Sequence, residues 1–104
     1  MHAMIRWKIK PDQVERELEL LAAVYEELQQ RKPGNLDYST FQLDDKVTFV
    51  AMANMPHGLG VLADLPAFHR YRSTLDARCE QRPIVTELGE IGLYTSVPRT
   101  VEGA

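Results

Sequence analysis

Two histidines are the side chains of this sequence best suited to move a proton near neutral pH. His57 lies in a loop flanked by Pro56 and Gly58, and His69 lies one step from the apolar face of a predicted helix. Because imidazole titrates close to physiological pH, either side chain could serve as a general base. The alternative for His57 is an exposed histidine in a loop without a catalytic role. The alternative for His69 is a side chain that faces solvent or acts indirectly, because spacing alone does not show that it faces inward.

Five other side chains could hold or enclose a small ligand. Asn54 ends an apolar strand, and its amide could orient a carbonyl or hydroxyl group of the ligand. Tyr38 and Tyr71 could each contribute a phenolic hydroxyl, and Trp7 and Phe68 could form aromatic walls. Core packing of the aromatic rings and a local backbone hydrogen bond of Asn54 are the structural alternatives.

Other chemistries lack the residues that they need. His57 and His69 have no carboxylate at ligand spacing beside both, so no metal site is predicted. Gly58-x-Gly60 lacks the third glycine of a dinucleotide-binding turn. The single Cys79 excludes an intrachain disulfide and a zinc site built from cysteines. The sequence therefore predicts neither a metal nor a cofactor.

Length and charge narrow the classes of partner. A chain of 104 residues with 44% hydrophobic residues predicts one domain over residues 1–104. A formal net charge of −3 makes nucleic acid an unexpected partner, because no global basic field is available to hold a phosphate backbone. No signal peptide or membrane-spanning run is recognised, so a cytoplasmic location without membrane attachment is expected.

The first half of the chain predicts a strand, a helix and a hairpin. Residues 3–10 alternate with period two, which places Ile5 and Trp7 on one face of a strand. A helix follows, with Asp12 as its N-cap and Glu15 as the capping-box partner. Residues 36–43 and 46–54 form a hairpin around a polar turn. The helix is expected to bury Val14, Leu18, Leu21, Tyr25 and Leu28.

The second half predicts a helix over residues 63–81 and a last strand over residues 84–95. Asp64 is the expected N-cap, Pro66 suits the first turn, and Arg82-Pro83 ends the helix. Its inner stripe is expected to contain Phe68, Tyr71, Leu75 and Cys79. The arginines of the helix are interpreted as a solvated face, with Arg72 and Asp76 paired at i, i+4; attraction of an acidic substrate is the alternative. These arginines are Arg70, Arg72, Arg78 and Arg82.

The order β-α-β-β-α-β predicts an α+β fold of ferredoxin-like type, with both helices on one face of a four-stranded antiparallel sheet. The first and third strands are central in this topology. The third strand, Val47 to Ala53, is apolar on both faces, and two helices can cover one sheet face only. A homodimer through the other sheet face is therefore predicted.

The chain resembles the antibiotic biosynthesis monooxygenase family of dimeric α+β barrels. The resemblance spans residues 3–95 and rests on the element order, on the segment Leu65-Pro66-Ala67-Phe68-His69-Arg70-Tyr71, and on the run from Thr86 to Tyr94. It implies a ligand site between the sheet and its helices. It also implies a cofactor-independent monooxygenase that oxidises an electron-rich aromatic or quinol ligand with O₂.

The sequence departs from that family at two places. Many members have a tryptophan near Asn54, and many have a histidine where this chain has Ala67. The only tryptophan is Trp7, so the site residues of the haem-degrading members are not carried over. A non-catalytic dimeric module that binds a small ligand is the main alternative, and an isomerase-type barrel is a weaker one.

Overall fold

The computed structural model describes residues 2–56 and 60–96. A 3-10 turn at Pro11–Gln13 precedes the first α-helix. The strands and α-helices of the described residues follow one another as β1 (His2–Ile9), α1 (Val14–Arg31), β2 (Asp37–Gln42), β3 (Thr48–Asn54), α2 (Gly60–Ala63), α3 (Pro66–Ser73), α4 (Leu75–Arg78) and β4 (Cys79–Leu88). The predicted order is confirmed, with the second helix divided into three pieces.

The four strands form one antiparallel sheet in the order β2-β3-β1-β4. The two central strands are β1 and β3, as the sequence predicts. Their register pairs Trp7 with Phe49 and Ile5 with Ala51. Because side chains alternate along a strand, these residues share the face that the helices cover. The fold is therefore α+β and ferredoxin-like.

The core lies between this sheet face and the helices. The rings of Trp7 and Phe49 stack with their centroids 5.8 Å apart. Val24 of α1 and Leu75 of α4 are buried against them. Burial of such side chains is the main force that holds helices on a sheet. The core thus joins residues from both halves of the chain.

Within residues 2–56 and 60–96, no layer of the structure covers the opposite face of the sheet. It carries exposed apolar side chains: Phe41 is 54% exposed, Met52 38% and Ile84 66%. Val50 lies between them on β3 and is half-buried. We call this surface, formed by Met4, Phe41, Val50, Met52 and Ile84, the open sheet face.

Helix α1 differs from the prediction in its buried stripe and its start. Leu18 is 43% exposed, whereas Glu17 is fully buried in its place. Leu21 is buried as predicted, and Val14 and Leu28 pack against the core. Asp12 lies in the 3-10 turn, and Gln13 stands at the N-cap without a side-chain hydrogen bond. The predicted capping box of Asp12 and Glu15 is wrong, because Pro11 starts a tight turn before the α-helix begins.

The boundary between the second helical region and the last strand also differs. Strand β4 starts at Cys79, whereas the sequence predicted helix to residue 81 and strand from residue 84. Pro83 is accommodated because β4 is an edge strand and its pairing with β1 shifts register at this point. Leu65, rather than the predicted Asp64, is the N-cap of α3, while Pro66 does occupy its first turn.

Candidate functional site

A cavity of about 450 Å³ lies between the helix-covered sheet face and the second helical region. Ile5 and Trp7 of β1 line it together with Ala51 and Ala53 of β3. The two alanines lie at the centre of the sheet and point toward the helices, where larger side chains would fill the space. The cavity therefore exists because the central strand has small residues at these two positions.

Four aromatic side chains line the cavity. Phe68 and Tyr71 of α3 have ring centroids 6.3 Å apart and are tilted by 42°. Tyr38 of β2 and Trp7 of β1 complete the set. Flat π-surfaces at several angles suit a planar aromatic ligand, because such rings prefer offset or edge-to-face contacts. The four residues are those that the sequence analysis selected as aromatic ligand contacts.

Tyr38 is held in place by the tyrosine behind it. Tyr25 of α1 stacks on Tyr38 with ring centroids 5.5 Å apart, and its hydroxyl lies 2.7 Å from Thr40 Oγ1. Burial raises the pKa of Tyr38 to about 12. Its hydroxyl is therefore neutral near physiological pH and can both donate and accept a hydrogen bond.

A buried carboxylate connects two of the aromatic walls. Glu17 Oε2 accepts hydrogen bonds from Trp7 Nε1 at 3.0 Å and from the Tyr71 hydroxyl at 2.6 Å. Its other oxygen, Oε1, accepts one from Arg78 Nε at 2.9 Å. A buried carboxylate needs such partners, because desolvation strongly disfavours an unpaired charge. Glu17 thus fixes the orientation of Trp7 and Tyr71 from behind the cavity wall.

Arg78 completes this network, and each of its three guanidinium nitrogens donates a hydrogen bond within it. Its Nη1 donates to Thr74 Oγ1 at 2.5 Å, and its Nη2 donates to the Tyr71 carbonyl at 3.1 Å. The guanidinium carbon also lies 5.3 Å from the Tyr71 ring centroid. Arg78 is 4% exposed, so its interpretation as part of a solvated face is wrong. The physical reason is its buried partner, Glu17.

The Tyr71 hydroxyl is a hydrogen-bond donor and a poor base. Burial raises its pKa far above the ordinary value, and the negative charge of Glu17 raises it further. A phenol in this environment keeps its proton and donates a hydrogen bond to the carboxylate. Tyr71 can therefore shape the cavity, but it cannot remove a proton from a ligand there.

Charged side chains stand at the mouth of the cavity. Arg72, Asp76 and Arg82 line the cavity and are exposed to solvent. Asp76, which the sequence pairs with Arg72, lies instead 4.0 Å from Arg82 Nε through its Oδ2. Val85 of β4 borders the same opening at 63% exposure. The interior is aromatic and aliphatic, and its charge is concentrated at this end.

The predicted polar residues do not gather in the cavity. Asn54 follows the cavity-lining Ala53, and strand alternation puts its side chain on the open sheet face. His69 is exposed on α3 and does not line the cavity. His57 lies outside the described residues. The sequence analysis did not assign Glu17 or Arg78 to the site. These two residues form an ion pair although they are 61 residues apart in the sequence.

Two further properties concern metals and membranes. Within residues 2–56 and 60–96, no three His, Cys, Asp or Glu side chains lie close enough together to hold a metal ion. None of the helices in the same residues is both long and apolar enough to cross a bilayer.

The sequence matches no protein-family model and no curated protein. Solved structures do match. A structure described as an antibiotic biosynthesis monooxygenase is 21% identical, with a TM-score of 0.73 over 88% of this chain and 98% of that one. A candidate antibiotic biosynthesis monooxygenase from Bacteroides thetaiotaomicron is 16% identical, with a TM-score of 0.73 over 92% and 95% of the two chains.

A third structure is a dimeric ferredoxin-like protein of unknown function from a Jannaschia species. It is 14% identical, with a TM-score of 0.63 over 86% of this chain and 97% of that one. Identities this low establish shared architecture and leave activity open. The chain therefore has the fold of the antibiotic biosynthesis monooxygenase proteins.

Proposed function

We propose that this chain is a cofactor-independent monooxygenase that oxidises an electron-rich aromatic or quinol substrate with O₂. The observation that carries the proposal is the aromatic-lined cavity of about 450 Å³ in a fold shared with antibiotic biosynthesis monooxygenases. A cavity of this size is within the range of small-molecule sites. Four aromatic walls suit a planar, electron-rich ring.

The proposed reaction balances without a bound cofactor. A hydroquinone gives up four electrons to one O₂ molecule; one oxygen atom enters the ring, and the other leaves as water with two hydrogen atoms of the substrate. The product is a hydroxyquinone. The protein would hold the ring, favour its deprotonated form and keep bulk water away from the reacting carbon.

Proton removal needs an acceptor near the mouth of the cavity. Asp76 is the one carboxylate among the described residues that lines the cavity. His57, chosen from the sequence, is the second candidate, and His69 is the third despite its exposed position. Asp76→Asn, His57→Gln and His69→Gln variants distinguish them, because loss of the base lowers turnover by roughly 10²- to 10⁴-fold.

A homodimer through the open sheet face is part of the proposal. The exposed apolar residues of that face are unusual for a monomer surface, because they lie together on one sheet. Three apolar residues after β4 are exposed as well: Ile91, Leu93 and Tyr94 are 103%, 80% and 87% exposed. The structural neighbour described as dimeric has the same fold.

Oxygen consumption tests the catalytic proposal. The purified protein is incubated aerobically with a panel of hydroquinones and anthrones, and oxygen uptake is followed with an electrode. One O₂ consumed per product formed, without hydrogen peroxide, is the expected result. Uptake equal to the uncatalysed background for every substrate would exclude the monooxygenase.

A non-catalytic ligand-binding module is the second candidate. Two observations favour it: the Tyr71 hydroxyl donates its hydrogen bond to Glu17, and His69 is exposed on the helix. Few proton acceptors therefore remain around the described cavity. This module would bind the same aromatic panel with unchanged affinity in air and under nitrogen. It would release each ligand chemically unaltered.

A further inference from the structure

We infer that the cavity binds an aromatic carboxylate, with the ring among Trp7, Phe68 and Tyr71 and the carboxylate beside Arg72 at the mouth. The inference names the substrate class of the proposed oxidation and rests on the proposed function for its chemistry. The binding step itself is measured without turnover.

The first support is an excess of positive charge at the mouth. Two guanidinium groups, Arg72 and Arg82, line the opening with one carboxylate, Asp76. Asp76 lies 4.0 Å from Arg82, which partly balances that pair. The side chain of Arg72 has neither a hydrogen bond nor an ion pair to any residue in the described part of the chain. Its planar fork is therefore available to a carboxylate, which it can bind through two parallel hydrogen bonds.

The second support is that the charge of Arg72 acts inside the cavity. Burial raises the pKa of the cavity-lining Tyr38 phenol, and the positive charge of Arg72 opposes that rise. A guanidinium close enough to act on this phenol is also close enough to act on a ligand that lies against it.

Helix geometry places the cation beside the aromatic wall. On α3, Tyr71 and Arg72 lie three and four residues after Phe68. One side of the helix therefore presents two aromatic rings and the guanidinium. The neighbouring Arg78 does not compete for the ligand, because it is buried, does not line the cavity and donates from each of its nitrogens to Glu17, Thr74 or the Tyr71 carbonyl.

The net charge of the whole chain does not favour the binding of anions. With a formal net charge of −3, the protein has no general attraction for anions. Preference for an anionic ligand would therefore report the local arginine. Binding of a neutral aromatic would depend on ring contacts alone.

The experiment compares 2-naphthoate with its neutral amide, 2-naphthamide. Trp7 is the single tryptophan of the chain and lines the cavity, so quenching of its fluorescence reports occupancy. We expect 2-naphthoate to bind roughly tenfold more tightly than the amide, the ratio that corresponds to about 1.4 kcal/mol. Titration calorimetry gives an independent dissociation constant for each ligand.

Arg72→Met is the test variant, and Arg70→Met is its matched control. Arg70 is exposed on the same helix and does not line the cavity. The Arg72 variant should bind acid and amide equally, while the Arg70 variant should keep the preference for the acid. Equal affinities in the unaltered protein, no binding of either ligand, or an unchanged preference in the Arg72 variant would each overturn the inference.

Oxygen uptake separates this inference from the proposed oxidation. A hydroquinone that carries a carboxylate is compared with the same hydroquinone without it. Arg72-dependent naphthoate binding without oxygen uptake would support the inference and reject the oxidation. Oxidation of the neutral hydroquinone with no preference for the acid would support the oxidation and reject the inference.

Discussion

Glu17 of α1 and Arg78 of α4 form a buried ion pair, with 2.9 Å between Glu17 Oε1 and Arg78 Nε. Their side chains are 0% and 5% exposed. The same carboxylate accepts hydrogen bonds from the cavity residues Trp7 and Tyr71. One pair thus links the first helix to the last helical turn and orients two aromatic walls of the cavity between them.

Replacement of Arg78 should be strongly destabilising. An Arg78→Met variant would leave the Glu17 carboxylate buried without its cation, and breaking a buried pair in this way costs about 3–5 kcal/mol. The free energy of unfolding is measured by urea denaturation at pH 7. Arg16→Met is the matched control, because its exposed i, i+3 contact with Glu19 at 3.4 Å should contribute less than about 1 kcal/mol.

The double variant tests the coupling between the two charges. In Glu17→Leu/Arg78→Met no charge is stranded, so its loss of stability should be smaller than the sum of the two single losses. It should still be less stable than the parent, since Trp7 Nε1 and the Tyr71 hydroxyl lose their acceptor. Additive effects would show that Glu17 and Arg78 act independently.

Filling the cavity should abolish ligand binding without unfolding the protein. Ala51 lies on β3, lines the cavity and is 1% exposed. In Ala51→Leu the added methyl groups would occupy space that a planar ligand needs, and the cavity can accept them at little cost. Fluorescence titration with an aromatic ligand and thermal unfolding are measured together.

The matched control for this substitution is Met52→Leu. Met52 is the next residue along β3 and lies on the open sheet face, away from the cavity. It should leave ligand binding unchanged, because a Met-to-Leu exchange conserves volume. An Ala51→Leu variant that still binds at parental affinity would place the ligand elsewhere.

The topology is predictable from the sequence because strand alternation is a local signal. Ile5, Trp7 and Ile9 repeat with period two. The structure buries Trp7 and Ile9 in the core under the helices and packs the partly buried Ile5 against them. The central position of β1 and β3 then follows from the element order. Helical spacing is an equally local signal, and it predicts that Phe68 and Tyr71 lie on one side of one helix, where both line the cavity.

The buried ion pair was not predictable from local pattern. Glu17 and Leu18 are neighbours on α1. The apolar spacing of the sequence predicts that Leu18 faces the core, but the structure buries Glu17 instead. Only the partner distinguishes them, and Arg78 lies 61 residues away. The start of β4 was missed for a related reason: Pro83 predicts a break, but an edge strand with a register shift tolerates it.

A charge placed on the open sheet face should separate the proposed dimer. Met52 lies on the central strand β3, and Met52→Lys would bury an unpaired ammonium group in an apolar interface. We expect the parent to be a dimer and the variant a monomer in size-exclusion chromatography with light scattering. Ala22→Lys, on the exposed side of α1, should leave the mass unchanged. A parent protein that is monomeric at micromolar concentration would contradict the predicted interface.

The β2–β3 turn should make stability depend on pH in the acid range. Asp45 Oδ2 accepts a hydrogen bond from Thr48 Oγ1 at 2.6 Å, and Oδ1 accepts one from the Thr48 amide at 2.8 Å and another from the Val47 amide at 3.0 Å. The hydroxyl and the amide of Thr48 lower the pKa of Asp45 below its ordinary value of 3.8. These bonds stabilise the charged carboxylate in the folded chain.

The sign of the effect follows from the lowered pKa. The unfolded chain binds the proton at higher pH than the folded chain, so the contribution is complete above about pH 4 and declines as the pH falls through the folded pKa. Asp45→Asn should therefore be less stable than the parent at pH 7, and its stability should fall less steeply between about pH 4 and pH 2. Thermal unfolding across this range measures both effects. Asp44→Asn, the neighbouring exposed residue, should follow the parent curve, and an Asp45 variant that also followed it would show that the turn does not hold the charge.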